Sequence, residues 1–366
     1  MENQTGNILL ISSEFPPLPG GIGNHAFHLA KGLSKSCKVT VIADQRSEHL
    51  EEEKHFDKDL PFKVVRIPLS KPRGIMYLNR ISKSVAEIKS VTTVMATGKF
   101  PLWLAAGLSL LYKRKYIAVI HGTEVNFKNL LLKRSIDAAL KRFTMVVAVS
   151  IYTKELVDHL QLKDVRVIPN GIDYNLWQLN GEEKQELQGS PALITVGHVS
   201  ERKGQANVIR QLPDLIKQYP DIHYHCVGIP SNQKEFEFIA KELKVENHIT
   251  FHGVLPFSDL KQKLAASDVF IMLSQETDTG DVEGFGIAIL EANVLGKPAI
   301  GAKGSGIEDA IKGGETGMLV DKDSPSEMGQ ALSEIMKDYI MYQQNARKWA
   351  KQHDWELVVK RYLELI

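Results

Sequence analysis

The sequence predicts an α/β protein built from two Rossmann-like, doubly wound domains with a cleft between them. Three observations predict it. Short apolar runs alternate with helix-length segments along most of the 366 residues; the alternation begins afresh after Pro191; and the chain exceeds the size at which one hydrophobic core keeps growing. In the first half the runs are NILLIS, KVTVIA, FKVVRIP, TTVMAT, YIAVIHG, MVVAVS and VRVIPNG, with a helix from about Asn24 after the first. Continuous apolar runs of this length read as buried strands of a parallel sheet. The second half gives ALITVGH, HYHCVG, ITFHGV, VFIMLS, KPAIGA and GMLV, each separated by helix-length sequence. Between the two series lies DYNLWQLNGEEKQELQGSP, polar, acidic and closed by a Gly-Ser-Pro turn, which reads as the linker. The domains are accordingly drawn at 1–175 and 190–351.

Composition narrows the function classes. Charged residues make up 24% and nearly cancel to +1, which argues against a protein that wraps nucleic acid, so no nucleic-acid partner is expected. Cys37 and Cys226 lie far apart, each inside an alternating apolar run; buried thiols in a reduced, cytoplasmic compartment follow. Near the N-terminus an acid, Glu2, and the short run Ile8 to Ile11 do not make a signal peptide. No stretch is long enough to span a membrane, and the segment around Pro101 to Tyr112 reads as a buried helix.

Parallel sheets place ligand sites at the carboxyl ends of their strands. After the first run comes EFPPLPGGIGNHAFHLAKGL, where Gly20, Gly21 and Gly23 let backbone N–H groups approach an anion at a helix N-terminus. The spacing departs from G-x-G-x-x-G, and Asp44 is the only acid at the end of the second run, which disfavours an oxidoreductase. The strongest signal is EGFGIAILE, Glu283 to Glu291, between VFIMLS with its polar loop and ANVLGKPAIG. Glu283 falls just before a helix that Gly284 and Gly286 start, and Glu291 about two turns on, roughly 12 Å by helical rise, a separation that suits a bipartite ligand. An unpaired charge among the apolar neighbours of Glu291 would be costly, so a surface role for it is disfavoured.

In this motif the chain resembles the retaining GT-B glycosyltransferases of the family 4 type, the bacterial group 1 enzymes that include phosphatidylinositol mannosyltransferases and sucrose and trehalose-type synthases. The resemblance implies that Glu283 meets the donor sugar's hydroxyls and Glu291 the ribose hydroxyls. The diphosphate would lie between them, near Gly284, Phe285, Gly286 and Ile287. In TVGHVSERKG, Lys203 falls on the family's diphosphate-binding lysine. His198, five residues earlier, stands where the family usually carries arginine, and Arg202 beside Lys203 is the other candidate for that clamp. In HGTEV, His121 falls where retaining members place a histidine close to the donor sugar; Glu124 could face the acceptor or cap the following segment. Asn170-Gly171 reads as a plain turn. In FHGVLPFSDL, Gly253, Val254 and Leu255 correspond to backbone contacts with the base, and in GSGIEDAI Glu308 matches a structural acid. These matches run from about Asn7 to Val320, with the first domain taking the acceptor and the second the donor. The helices from about Pro325 are expected to return to the first domain, the final one over about 352–366.

Lys113, Arg114, Lys115, Lys128, Lys133, Arg134, Lys141 and Arg142, interleaved with Phe127 and Leu130 to Leu132, read as a face that could rest on anionic lipid. The function implied is transfer of a hexose-type sugar from a nucleotide diphosphate sugar to an acceptor hydroxyl with retention. A lipid-linked or saccharide acceptor in cell-envelope glycan, lipopolysaccharide or glycolipid synthesis is expected, with a cytoplasmic protein peripheral to the inner membrane face. Neither a metal nor a cofactor is expected, because Lys203 and helix dipoles would neutralise the diphosphate. The alternatives are a sugar-nucleotide epimerase of the same fold and a non-catalytic sugar-nucleotide binding protein.

Overall fold

The computed structural model describes residues 6–48, 50–179, 181 and 186–366, and these divide into two compact units. One takes the chain to Gly171 together with Trp355–Ile366; the other takes Ile172–Asp354.

The first unit is built on β1 (Asn7–Ser12), β2 (Lys38–Asp44), β3 (Lys63–Ile67), β4 (Thr93–Thr97), β5 (Lys115–Ile120), β6 (Met145–Ala148) and β7 (Val165–Val167). All pair in parallel in the order β3-β2-β1-β4-β5-β6-β7. Leu9, Ile11, Ile42, Val94 and Ile120 are fully buried in its core. The second unit carries β8 (Ala192–Val196), β9 (His223–Val227), β10 (Ile249–Gly253), β11 (Val269–Met272), β12 (Ala299–Ala302) and β13 (Gly317–Val320). Their order is β10-β9-β8-β11-β12-β13, again parallel throughout. Both sheets are therefore doubly wound and Rossmann-like, and each has a switch point, between β1 and β4 and between β8 and β11. There the connections leave in opposite directions and a ligand crevice opens.

Several boundaries differ from the sequence expectation. The first helix begins at Gly21, not Asn24, because the glycines of the turn are already helical. A Cβ on Gly23 would stand 3.0 Å from the Phe15 backbone nitrogen, so the glycine there serves close packing of helix against strand loop. The helix after Glu283 begins only at Ile287, capped by Gly286 in the left-handed region at φ 85°; Glu283 to Phe285 lie outside it, and the separation from Glu291 is not two helical turns. The helices Pro325–Lys337 and Tyr339–Gln352 stay with the second unit, because Met328, Leu332, Ile335 and Tyr342 bury themselves in its core. Only Trp355–Leu363 joins the first unit. The segment read as a linker opens with a short helix, Tyr174–Trp177, whose Trp177 ring meets Phe257 at 5.0 Å in the second unit. Its residues Asn180 and Glu182–Gln185 lie outside the described ones. The apolar segment near Pro101 forms the helix Lys99–Leu108, with Leu102 and Ala105 buried and the following Leu110 and Leu111 exposed. Cys37 and Cys226 are free, buried thiols.

Candidate active site

In the second unit the switch point brings together the loops that follow β8 and β11. After β8 the chain makes a short 3-10 turn, Glu201–Lys203, and enters the helix Gln205–Gln218 through Gly204. Gly204 sits at φ 77°, and any Cβ there would collide with the Leu273 carbonyl, so only glycine lets the two loops approach this closely. The loops are then sutured: Gln275 donates its N–H to the Arg202 carbonyl at 3.0 Å, and Asn207 donates Nδ2–H to the Leu273 carbonyl at 3.0 Å.

This suture sets two cations against the loop's carboxylates. Lys203 Nζ lies 2.8 Å from Glu283 Oε2, which also accepts from Arg202 Nη1. Arg202 Nε lies 3.1 Å from Asp281 Oδ2. The other Glu283 oxygen accepts the Gly286 N–H at 3.1 Å, which curls the acid back onto the helix start. Burial pushes the Glu283 carboxyl up, but Lys203 and Arg202 outweigh it and hold it at about 2, so it is ionised at every working pH. Glu291 has the opposite balance: burial pushes it up to about 7, and Lys203 alone draws it back. Two carboxyls that both feel one lysine are thus pushed apart, Glu283 ionised and Glu291 titrating near neutral pH, a pattern found at functional sites.

The remaining predicted residues divide. His198 is exposed, and its ring makes no described hydrogen bond; burial, then Arg202 and Lys203, hold its pKa down, so it is neutral at pH 7. Its carbonyl accepts from Gln205 Nε2 at 3.0 Å. Phe285 is buried, its ring 6.1 Å from that of His353, so this residue presents backbone and not side chain. Gly306 donates to the Glu283 carbonyl at 3.0 Å and pins the Glu283-Gly284 backbone. Gly253, Val254 and Leu255 close β10, two strands from β8, and are not joined to the Glu283 cluster. Glu308 accepts from the Gly304 N–H, a turn-closing contact.

In the first unit, Gly20, Gly21 and Gly23 come after β1, and His121 directly follows β5. His121 Nε2 lies 3.0 Å from Thr97 Oγ1, and its ring meets His25 edge to face at 4.9 Å. Burial first, then His25, holds the His121 pKa well below 6.5. Glu124 turns inward and accepts the His121 backbone N–H, and burial pushes its carboxyl up to about 7. Asp44 is taken up by an ion pair with Arg80. Sequence reasoning missed Asp281, hidden in an acidic run, and His25 and Asn170, whose side chains pair at 2.7 Å. The Asn170-Gly171 turn is therefore more than a turn.

Two family models cover most of the chain: one described as glycosyl transferases group 1 matches residues 180–353, and one described as glycosyltransferase family 4 matches 19–176. The chain belongs to the GT-B glycosyltransferases of the family 4 type. This glycosyltransferase is 27% identical over 355 residues to a GDP-mannose-dependent alpha-(1-6)-phosphatidylinositol monomannoside mannosyltransferase of Mycolicibacterium smegmatis, covering 90% of this chain and 89% of that one. It is 26% identical over 355 residues to a GDP-mannose-dependent monoacylated alpha-(1-6)-phosphatidylinositol monomannoside mannosyltransferase of Corynebacterium glutamicum, covering 91% and 89%. Among solved structures, Anabaena HepE in complex with UDP and glucose superposes with a TM-score of 0.78 at 20% identity, covering 98% of this chain and 99% of that one. A glycosyltransferase of Rickettsia africae gives 0.77 at 21%, covering 98% and 97%. The fold is shared with both.

Proposed function

We propose that this glycosyltransferase moves a hexose-type sugar from a nucleotide diphosphate sugar to an acceptor hydroxyl with retention of anomeric configuration and without a metal ion. The observation that carries the proposal is the Lys203, Arg202, Glu283 and Glu291 cluster at the β8/β11 switch point, with one carboxyl held at about 2 and the other at about 7. Lys203 and Arg202 meet the diphosphate as negative charge grows on it, Glu283 takes sugar hydroxyls and Glu291 the ribose. The anomeric C–O bond to the phosphate breaks, the acceptor oxygen bonds to the same face, and its proton passes to the departing phosphate oxygen. His121, in the first unit, is the neutral hydrogen-bonding group that the family resemblance assigns to the donor sugar.

A lipid-linked acceptor is favoured over a free saccharide by two things. The mycobacterial and corynebacterial relatives act on phosphatidylinositol monomannosides by name. In addition, Leu130, Leu131 and Leu132 are 59%, 76% and 42% exposed beside exposed Lys128, Arg134, Lys141 and Arg142, a face suited to an anionic membrane surface. Among the described residues no helix is long and apolar enough to cross a membrane.

Donor turnover with GDP-mannose, UDP-glucose and their nucleotide analogues, with and without a phosphatidylinositol glycolipid acceptor, tests the proposal. Glycolipid product from one donor supports it. Nucleotide release with an epimerised free sugar marks an epimerase, and tight donor binding without turnover marks a binding protein; either refutes it.

A further inference from the structure

We infer that His25 is a positioning residue for His121, a buried wedge with a single locked tautomer that fixes the His121 ring and ties it to the last helix of the chain. The role rests on His121 meeting the donor sugar, as proposed above.

His25 lies on the first helix, fully buried, where an apolar residue would serve the core better. Its Nδ1 stands 2.7 Å from Asn170 Oδ1. An amide oxygen only accepts, so Nδ1 carries the hydrogen. Nε2 is then the acceptor, and the Tyr362 hydroxyl, 3.3 Å away, donates to it. Both partners are satisfied by one tautomer alone. The ring so fixed meets His121 at 4.9 Å and 81°.

His121 is thereby held from three sides. Glu124 takes its backbone N–H, Thr97 takes Nε2, and His25 blocks the ring plane. Behind His25 stands the last helix, whose Trp355 ring approaches it at 5.1 Å and stacks on His28 at 5.4 Å, and whose Arg361 donates to the Val167 carbonyl at 2.8 Å. The titratable groups facing His25 are His28, His121 and Tyr362; those facing His121 are His25 and Glu124. Burial, only partly offset by the Asn170 bond, and then His28 keep His25 at about 4, so at neutral pH two uncharged rings face each other. A neutral His121 can donate to or accept from a sugar hydroxyl, whereas a protonated one could only donate.

The test uses the full-length protein labelled with ¹⁵N in its histidine rings. In the wild type His25 should show the Nδ1–H tautomer, and His121 should stay neutral from pH 8 to pH 5.5. Tyr362→Phe removes only the hydroxyl and should survive folding; His25→Phe keeps the ring and removes both hydrogen bonds. In either variant the His121 signals should shift and its titration midpoint should rise by about half a unit or more. The kcat should fall roughly 5- to 10-fold with donor KM little changed, the signature of a misplaced group. Unchanged His121 signals and titration in both variants overturn the inference, as does an altered signal with unchanged kcat. His121→Ala separates the two ideas: full activity in that variant removes His121 from the reaction, while the ring signals still decide whether His25 holds it.

Discussion

Replacing Lys203 by alanine removes the ammonium and its methylene stem from the proposed donor site. The ammonium is half-buried, 2.8 Å from Glu283, and it is the group that draws the Glu291 carboxyl back from a still higher pKa. In the cluster, Lys203 and Arg202 balance Glu283 and Asp281. Without the lysine an incoming diphosphate meets net negative charge, and Glu291 stays protonated further above pH 7. A unit charge about 4 Å from the phosphate at an effective dielectric near 20 contributes about 4 kcal/mol. Removing one preorganised stabiliser of developing charge typically costs about 3 to 4 kcal/mol, roughly 10²- to 10³-fold in kcat. Steady-state turnover of the preferred nucleotide sugar should show that loss mainly in kcat, because the charge develops as the bond breaks. Lys203→Arg, which keeps the charge, should recover part of it. A folded Lys203→Ala protein within threefold of wild-type kcat would refute the assignment.

Arg202→Ala should cost roughly 10²-fold while His198→Ala stays within a few-fold, since the guanidinium is charged at any pH and His198 is held neutral at pH 7; the reverse order in kcat/KM would give the clamp to the histidine. For Glu291, the group that would hold ribose is half protonated near pH 7, so calorimetric affinity for the free nucleoside diphosphate should weaken from pH 8 to pH 6, and Glu291→Ala should be weak throughout; pH-independent affinity in the wild type would contradict the ribose role. His223 and His252, with His225 between them, are held by burial at about 4, below the 6.5 of an unfolded chain. The unfolded state therefore takes up protons first as the pH falls, and stability should be lost between about pH 6.5 and pH 4. Thermal melts of the His223→Gln/His252→Gln variant should show a shallower decline across that window, and an equal slope would exclude these rings as its cause.

The fold was legible because each strand of a parallel sheet is buried on both faces and so prints a continuous apolar run, as NILLIS and VFIMLS do. The helix starts were less legible. Glycines that read as a turn are already helical at Gly21, while the two glycines after Glu283 delay the helix to Ile287. Of the helices from about Pro325 that were expected to return to the first domain, only Trp355–Leu363 belongs to it: Pro325–Lys337 and Tyr339–Gln352 bury their apolar residues in the second core, where the bound at 351 had drawn them. In the donor-side cluster, Lys203, Glu283 and Glu291 stood out by motif, and their meeting at one switch point was beyond the reach of spacing. Asp281 was lost among neighbouring acids, although it engages Arg202 together with Glu283. His25 was lost for the converse reason, as a single polar residue on a helix face that otherwise looks like core, with partners 145 and 337 residues away.

The most direct test of the proposed chemistry is ¹H NMR of the product formed from an α-linked nucleotide diphosphate hexose and a glycolipid acceptor, in buffer containing EDTA. Transfer through Lys203, Arg202 and the departing phosphate predicts a new α-glycosidic signal, appearing at the same rate with and without the chelator. A β-linked product, or transfer that resumes only when a divalent metal is restored, would contradict it.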